Sequence, residues 1–177
     1  MRSEGHLQFA QLLANQGFCV FVPHFFEPAG ISWASPATIA REFLNWMKII
    51  SQAIDYAVTQ PNVDATRIGL IGFSLGAYLS LSLAVEEPRI KAVVEFFGGM
   101  PDHFAERLNH LPPVLILHGE KDTVVSVAEA RKLASLLEAR HLPYEMQLYS
   151  GAGHGFGPID MMDAGRRAYL FLKKHLG

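Results

Sequence analysis

Three residues of this chain could together carry out nucleophilic catalysis: a serine at 74, an aspartate at 122 and a histidine at 154. A serine hydroxyl is a poor nucleophile at neutral pH. It needs a base within hydrogen-bond reach, and the base needs a partner that fixes its tautomer and stabilises its charged form. Ser74 stands in Gly72-Phe73-Ser74-Leu75-Gly76, directly after the apolar run Ile68-Gly69-Leu70-Ile71 and before a helix-compatible segment at 77–85. That pattern is a strand, a sharp turn and a helix with the hydroxyl at the apex. Glycines at 72 and 76 are expected to relieve the crowding the turn creates. The turn also aims the Leu75 N–H, a candidate oxyanion donor, and the positive end of the helix at one point. The plainer alternative is a structural serine in a glycine-rich turn, which leaves the strand–turn–helix setting unexplained.

The other two residues belong to loops that follow other strands, and in a parallel sheet such loops converge. His154 lies in the glycine-rich segment 150–158, flanked by Gly151, Gly153 and Gly155, and reads as the base. Asp122 follows the apolar run 113–117 by five residues and reads as the acid that holds it; an ordinary turn aspartate is the alternative. Glu95, in Val93-Val94-Glu95-Phe96-Phe97, is a rival acid, because a carboxylate in so apolar a run needs a partner. His118 reads as a hydrogen-bonding residue at a strand end. The order Ser74, Asp122, His154 is the order associated with this type of elbow. No paired-histidine spacing points to a metal, and no glycine-rich phosphate loop matches a nucleotide fingerprint.

These residues require a scaffold of alternating strands and helices. Apolar spacing predicts helices at 6–16, 39–58, 77–85, 126–140 and 160–175, and strands at 18–22, 67–71, 90–97, 113–117 and 144–149. Ser35-Pro36 caps the second helix, and Ser126-x-x-Glu129 is a capping box for the fourth. Segment 100–111 reads as irregular or a short helix. The alternation implies one α/β domain over 1–177, a three-layer α/β/α sandwich with a mostly parallel sheet of about five strands. The loop 24–35 follows the first of these strands, so Phe25, Phe26 and Trp33, together with Phe156, are candidate pocket residues.

With 177 residues, half of them hydrophobic and 18% charged, the composition is that of a globular domain, not a disordered chain. A net charge of −2 with no basic cluster argues against nucleic acid and anionic membranes. No run approaches transmembrane length, and the first residues lack an apolar signal core, so the expectation is cytoplasm. The one cysteine, Cys19, rules out an internal disulfide; inside the run 18–22 it is expected to be a buried structural thiol.

Three motifs in order resemble the α/β-hydrolase superfamily and, within it, the dienelactone hydrolase family. They are Val63-Asp64-x-x-Arg67-Ile68-Gly69 leading into Gly72-Phe73-Ser74-Leu75-Gly76, then His118-Gly119-x-x-Asp122-x-x-Val125, then Gly153-His154-Gly155-Phe156. The resemblance runs from about His6 to His175. It implies a cofactor-free hydrolase of esters, lactones or thioesters, with Ser74 as nucleophile, His154 as base and Asp122 as orienting acid. The chain departs from the family at three points: Ser74 stands where dienelactone hydrolases proper carry cysteine, Ala77 where a second glycine often follows, and Pro23-His24 where Pro-Asp is frequent. These bear on the substrate more than on the chemistry. Alternatives are a hydrolase-like binding or scaffold protein without turnover, and an oligopeptidase-type peptidase. The resemblance further implies a strand before the first helix whose loop gives a second oxyanion N–H. Residues 1–5 are too short and polar to be that strand, so the expectation is a chain shortened at its N-terminus, lacking that donor and prone to homo-oligomerise.

Overall fold

The computed structural model describes residues 4–31 and 33–177, and the chain divides into two compact units, Met1–Ala65 and Thr66–Gly177. In the first unit, α1 (Glu4–Ala14) is followed by a single 3-10 turn at Glu27–Ala29 and by the long helix α2 (Pro36–Ala57). Gly17, at a φ of 93°, takes the left-handed conformation just past α1 that closes a helix end most readily with glycine. Ser35 caps α2 as its spacing predicts: its Oγ accepts from the Thr38 N–H at 3.1 Å, with Pro36 at the first helical position. Trp46, Met47, Ile50, Ile54 and Ala57 form the buried stripe of α2.

The strand predicted at 18–22 is absent: that segment forms no ladder with any described strand. An extended segment becomes a strand only through cross-strand hydrogen bonds, and apolarity alone does not supply a partner. Cys19 is accordingly exposed rather than buried, and Phe21 and Val22 are each 39% exposed. The described sheet therefore has four strands, not five.

The second unit holds that sheet. Strands β1 (Ile68–Phe73), β2 (Ile90–Phe96), β3 (Val114–Gly119) and β4 (Tyr144–Tyr149) run parallel in the order β1-β2-β3-β4. Between them lie α3 (Leu75–Glu86), α4 (Asp102–Glu106) and α5 (Val127–Ala139), and α6 (Pro158–Leu176) follows β4. Alternate residues of a strand face opposite sides, so β1 locates the layers. A Cβ at Gly69 would meet Leu172 and Leu176 of α6, whereas one at Gly72 would meet Gly76 and Ala77 of α3. Helices thus cover both faces, the three-layer α/β/α arrangement.

Strands β2 and β3 are almost wholly buried, as parallel strands covered on both faces must be. Among the described residues β1 pairs only with β2, and Ile68, Leu70 and Ile71 stay half-exposed at this edge. No helix among the described residues is long and apolar enough to cross a membrane.

Candidate active site

Four strands ending on one side of a parallel sheet bring their following loops together. β1 ends in the elbow. Its last pair, Phe73 with Phe96, stays in register, and the Ser74 N–H still donates to the Phe96 carbonyl at 2.9 Å. At Ser74 the backbone then turns to φ 53°, ψ −119°, a conformation that non-glycine residues hold only when their surroundings impose it. Gly72 makes the turn possible. A Cβ there would lie 2.3 Å from the Gly76 carbonyl oxygen and 2.5 Å from Ala77 backbone atoms. The expectation for Gly76 does not hold: a Cβ at that position meets nothing within 4 Å. Leu75 opens α3, so its N–H is among those a helix leaves without an intrahelical acceptor.

β3 ends in the turn that carries Asp122. Its Oδ1 accepts from the Val124 and Val125 N–H groups at 2.8 and 2.9 Å. The wholly buried His118 braces the same turn, donating from Nε2 to the Val125 carbonyl at 3.0 Å, with Asp122 Oδ2 3.5 Å away. Burial holds the His118 imidazole below its usual range, and therefore neutral.

The loop after β4 is pressed onto this turn. The Lys121 N–H donates to the Ala152 carbonyl at 2.9 Å, and a Cβ at Gly119 would strike the Ala152 and Gly153 carbonyls at 2.4 and 2.6 Å. That close approach brings His154 between the other two. Its Nδ1 lies 2.8 Å from Asp122 Oδ2 and its Nε2 3.0 Å from Ser74 Oγ. Burial raises the Asp122 carboxyl, but hydrogen bonds from His154, Val125 and Val124 outweigh it and leave the group below the usual carboxylate range. An ionised Asp122 can only accept, so Nδ1 carries the imidazole proton and Nε2 is free to accept from Ser74.

Glu95 is not part of this chain of hydrogen bonds. It is completely buried in β2, its Oε2 accepting from the Gly98 N–H at 2.9 Å, and burial pushes its carboxyl up to about 8. Of the aromatic candidates, Phe156 packs among Phe97, Phe96 and Tyr149 beside the histidine. Phe25, Phe26 and Trp33 belong to the first unit, where the first two rings pack on Trp46 and Trp33 is 74% exposed. Phe97, which the spacing did not single out, lays its ring edge-to-face against His154 with centroids 4.9 Å apart. The visible signal was a bulky residue directly before Gly98-Gly99 at a strand end. Among the described residues, no group of three His, Cys, Asp or Glu side chains could hold a metal ion.

Comparison with known proteins matches residues 2–162 to the model of the dienelactone hydrolase family. The chain belongs to that family. A relative from Bradyrhizobium sp., named "Probable 2-oxo-3-(5-oxofuran-2-ylidene)propanoate lactonase", is 26% identical over 93% of this chain and 75% of its own length. The carboxymethylenebutenolidase homolog of Xenopus tropicalis is 28% identical over 83% of this chain, which spans only 62% of that protein's length. A solved structure, that of a dienelactone hydrolase-like promiscuous phosphotriesterase from metagenomic libraries, superposes with a TM-score of 0.69. It is 19% identical, the match covers 80% of this chain and 66% of the other, and at that identity it bears on the fold alone. Within the dienelactone hydrolase family fold, β1 with its elbow, the β3 turn and the β4 loop are the three elements that carry Ser74, Asp122 and His154.

Proposed function

We propose that this chain is a serine hydrolase of small carboxylic esters or lactones, with Ser74 as nucleophile, His154 as general base and acid, and Asp122 as its orienting carboxylate. The observation that carries the reading is the unbroken chain Ser74 Oγ to His154 Nε2 at 3.0 Å and His154 Nδ1 to Asp122 Oδ2 at 2.8 Å. Both distances lie within the range for proton transfer. Ser74 Oγ attacks the carbonyl carbon while its proton passes to Nε2. The Leu75 N–H and the N-terminal dipole of α3 stabilise the oxyanion. The ester C–O bond then breaks, and Nε2 returns the proton to the leaving alkoxide. A water attacks the acyl-serine, gives its proton to Nε2, and the acid departs as Ser74 Oγ is reprotonated. Phe156, packed on Phe97 and Tyr149, offers an apolar wall beside the histidine for the acyl or ring portion.

A fluorophosphonate probe tests this directly. The chain should be labelled covalently and the Ser74→Ala variant should not, with a parallel loss of turnover on short-chain nitrophenyl esters and thioesters. Equal labelling of that variant would end the assignment.

A further inference from the structure

Two features beside the proposed site have no part in the proton relay. Glu95 is a carboxyl buried without a charge partner, and its Oε1 has no hydrogen-bond partner among the described residues. Phe97 sits at a φ of 42°, a backbone conformation rare for so bulky a side chain. They are one device. The Glu95 Oε2 bond to the Gly98 N–H spans the tight turn in which Phe97 is the left-handed residue. The Phe97 N–H remains tied to the Leu117 carbonyl at 2.8 Å, so the reversal of direction falls at its Cα. That reversal lays the ring back across the strand ends onto the His154 imidazole, at 4.9 Å between centroids.

We propose that Glu95 is a positioning residue for His154, acting through the Gly98 N–H and the left-handed Phe97, whose ring packs edge-to-face with the imidazole and restrains its plane. This rests on the reading of His154 as the base. The carboxyl performs this task while protonated. In the sheet it is flanked by Gly72 and Ile116, which carry no charge. Tyr78 of α3 lies within electrostatic reach of it, together with Glu129 on α5 and Asp122 in the β3–α5 turn. Every one of these groups is neutral or anionic. Ionised Glu95 would therefore be a buried charge with no cation to meet it, and the turn would open to hydrate it.

The experiment compares the wild-type chain with E95Q, E95A, F97A and the double variant E95A/F97A. It reads fluorophosphonate labelling rate, ester kcat and KM, and the NMR signal of the His154 Nδ1 proton. E95Q retains an acceptor for the Gly98 N–H and should recover most of the rate at neutral pH. E95A and F97A should each lower kcat about 10- to 100-fold, the cost of a displaced catalytic group, with KM little changed and the Nδ1 proton signal shifted or broadened. The double variant should lose no more than either single one, because both act along one path. As pH rises through about 8, wild type should lose rate and Nδ1 signal while E95Q keeps both. Multiplying losses in the double variant would overturn the proposal, as would E95Q following wild type at every pH. Should E95A fail to fold, the comparison of wild type with E95Q still decides. A wild-type chain that resists the probe refutes the hydrolase reading instead, and the Nδ1 signal then decides the positioning role by itself.

Discussion

Replacing Asp122 by asparagine exchanges one oxygen for an amino group, and the structure dictates which. Oδ1 accepts from two backbone N–H groups, those of Val124 and Val125 at 2.8 and 2.9 Å. An amino group in that place would confront two donors and leave both unpaired, at roughly 1–3 kcal/mol each. The amide oxygen must therefore stay there, and the amino group faces His154 Nδ1 across 2.8 Å. Two donors cannot share a hydrogen, so the imidazole proton moves to Nε2 and points at Ser74 Oγ, 3.0 Å away. The serine then has no base. A tautomer reversal of this kind costs about 10⁴ in rate in the serine-protease triad, which is about 5 kcal/mol of barrier. D122N should fall by that order in ester turnover and in fluorophosphonate labelling rate. Its melting temperature should change little, since the turn bonds at Oδ1 survive. Nitrogen-resolved NMR of His154 should show the proton on Nε2. A D122N chain within tenfold of wild type would refute the reasoning, and an E95Q loss larger than the D122N loss would move the acid role to Glu95.

Other outcomes follow from the same geometry. The Glu95 carboxyl, raised from 4.5 to about 8, favours its protonated form in the folded chain. Its contribution is thus complete below pH 4.5 and is lost as pH rises toward about 8, at about 1.4 kcal/mol per pH unit in that window. Urea titrations at pH 5 and pH 8 should show this slope in wild type and its absence in E95Q; parallel profiles would contradict it. Gly72→Ala places a methyl 2.3 Å from the Gly76 carbonyl and should destabilise by about 3 kcal/mol or more, read as a lowered urea midpoint, whereas Gly76→Ala should be mild.

The legible part of this protein was the part specified by local rules. The serine elbow, the Asp122 turn and the His154 loop each announce themselves because glycine, a strand end and a polar side chain coincide within a few residues. Their convergence follows from parallel topology alone. The helix caps at Ser35 and Ser126 were equally local: both serines cap their helices, Ser126 by accepting from the Ala128 N–H rather than through the capping box expected with Glu129. The failures were of non-local origin. An apolar run at 18–22 satisfies every strand propensity, yet a strand needs a ladder on a neighbour, and no described strand supplies one. Cys19 inherited that error. Gly76 was credited with relieving a clash that only Gly72 relieves, because the direction of a Cβ vector in a strained turn is not written in the spacing. The link from Glu95 through Gly98 to Phe97 was invisible for the same reason.

The two strained residues are neighbours in a precise sense. Phe73 and Phe96 are the last ladder pair between β1 and β2, so Ser74 and Phe97 are the next residue on each adjacent strand. Both turn left-handed, at φ 53° and 42°, and both keep the amide bonded across the sheet, Ser74 to Phe96 and Phe97 to Leu117. Strain of this kind costs on the order of 1–3 kcal/mol per residue and persists only where surrounding bonds over-determine it. One reversal presents the hydroxyl and the other aims a ring at the imidazole proposed to accept its proton. Had only Ser74 been strained, the elbow would present a nucleophile to a histidine fixed by Asp122 through a single nitrogen and free to swing about that bond. With the Phe97 ring packed edge-to-face beside it, the imidazole would on our proposal be held in two directions, the second constraint depending on a carboxyl that burial keeps neutral below about pH 8.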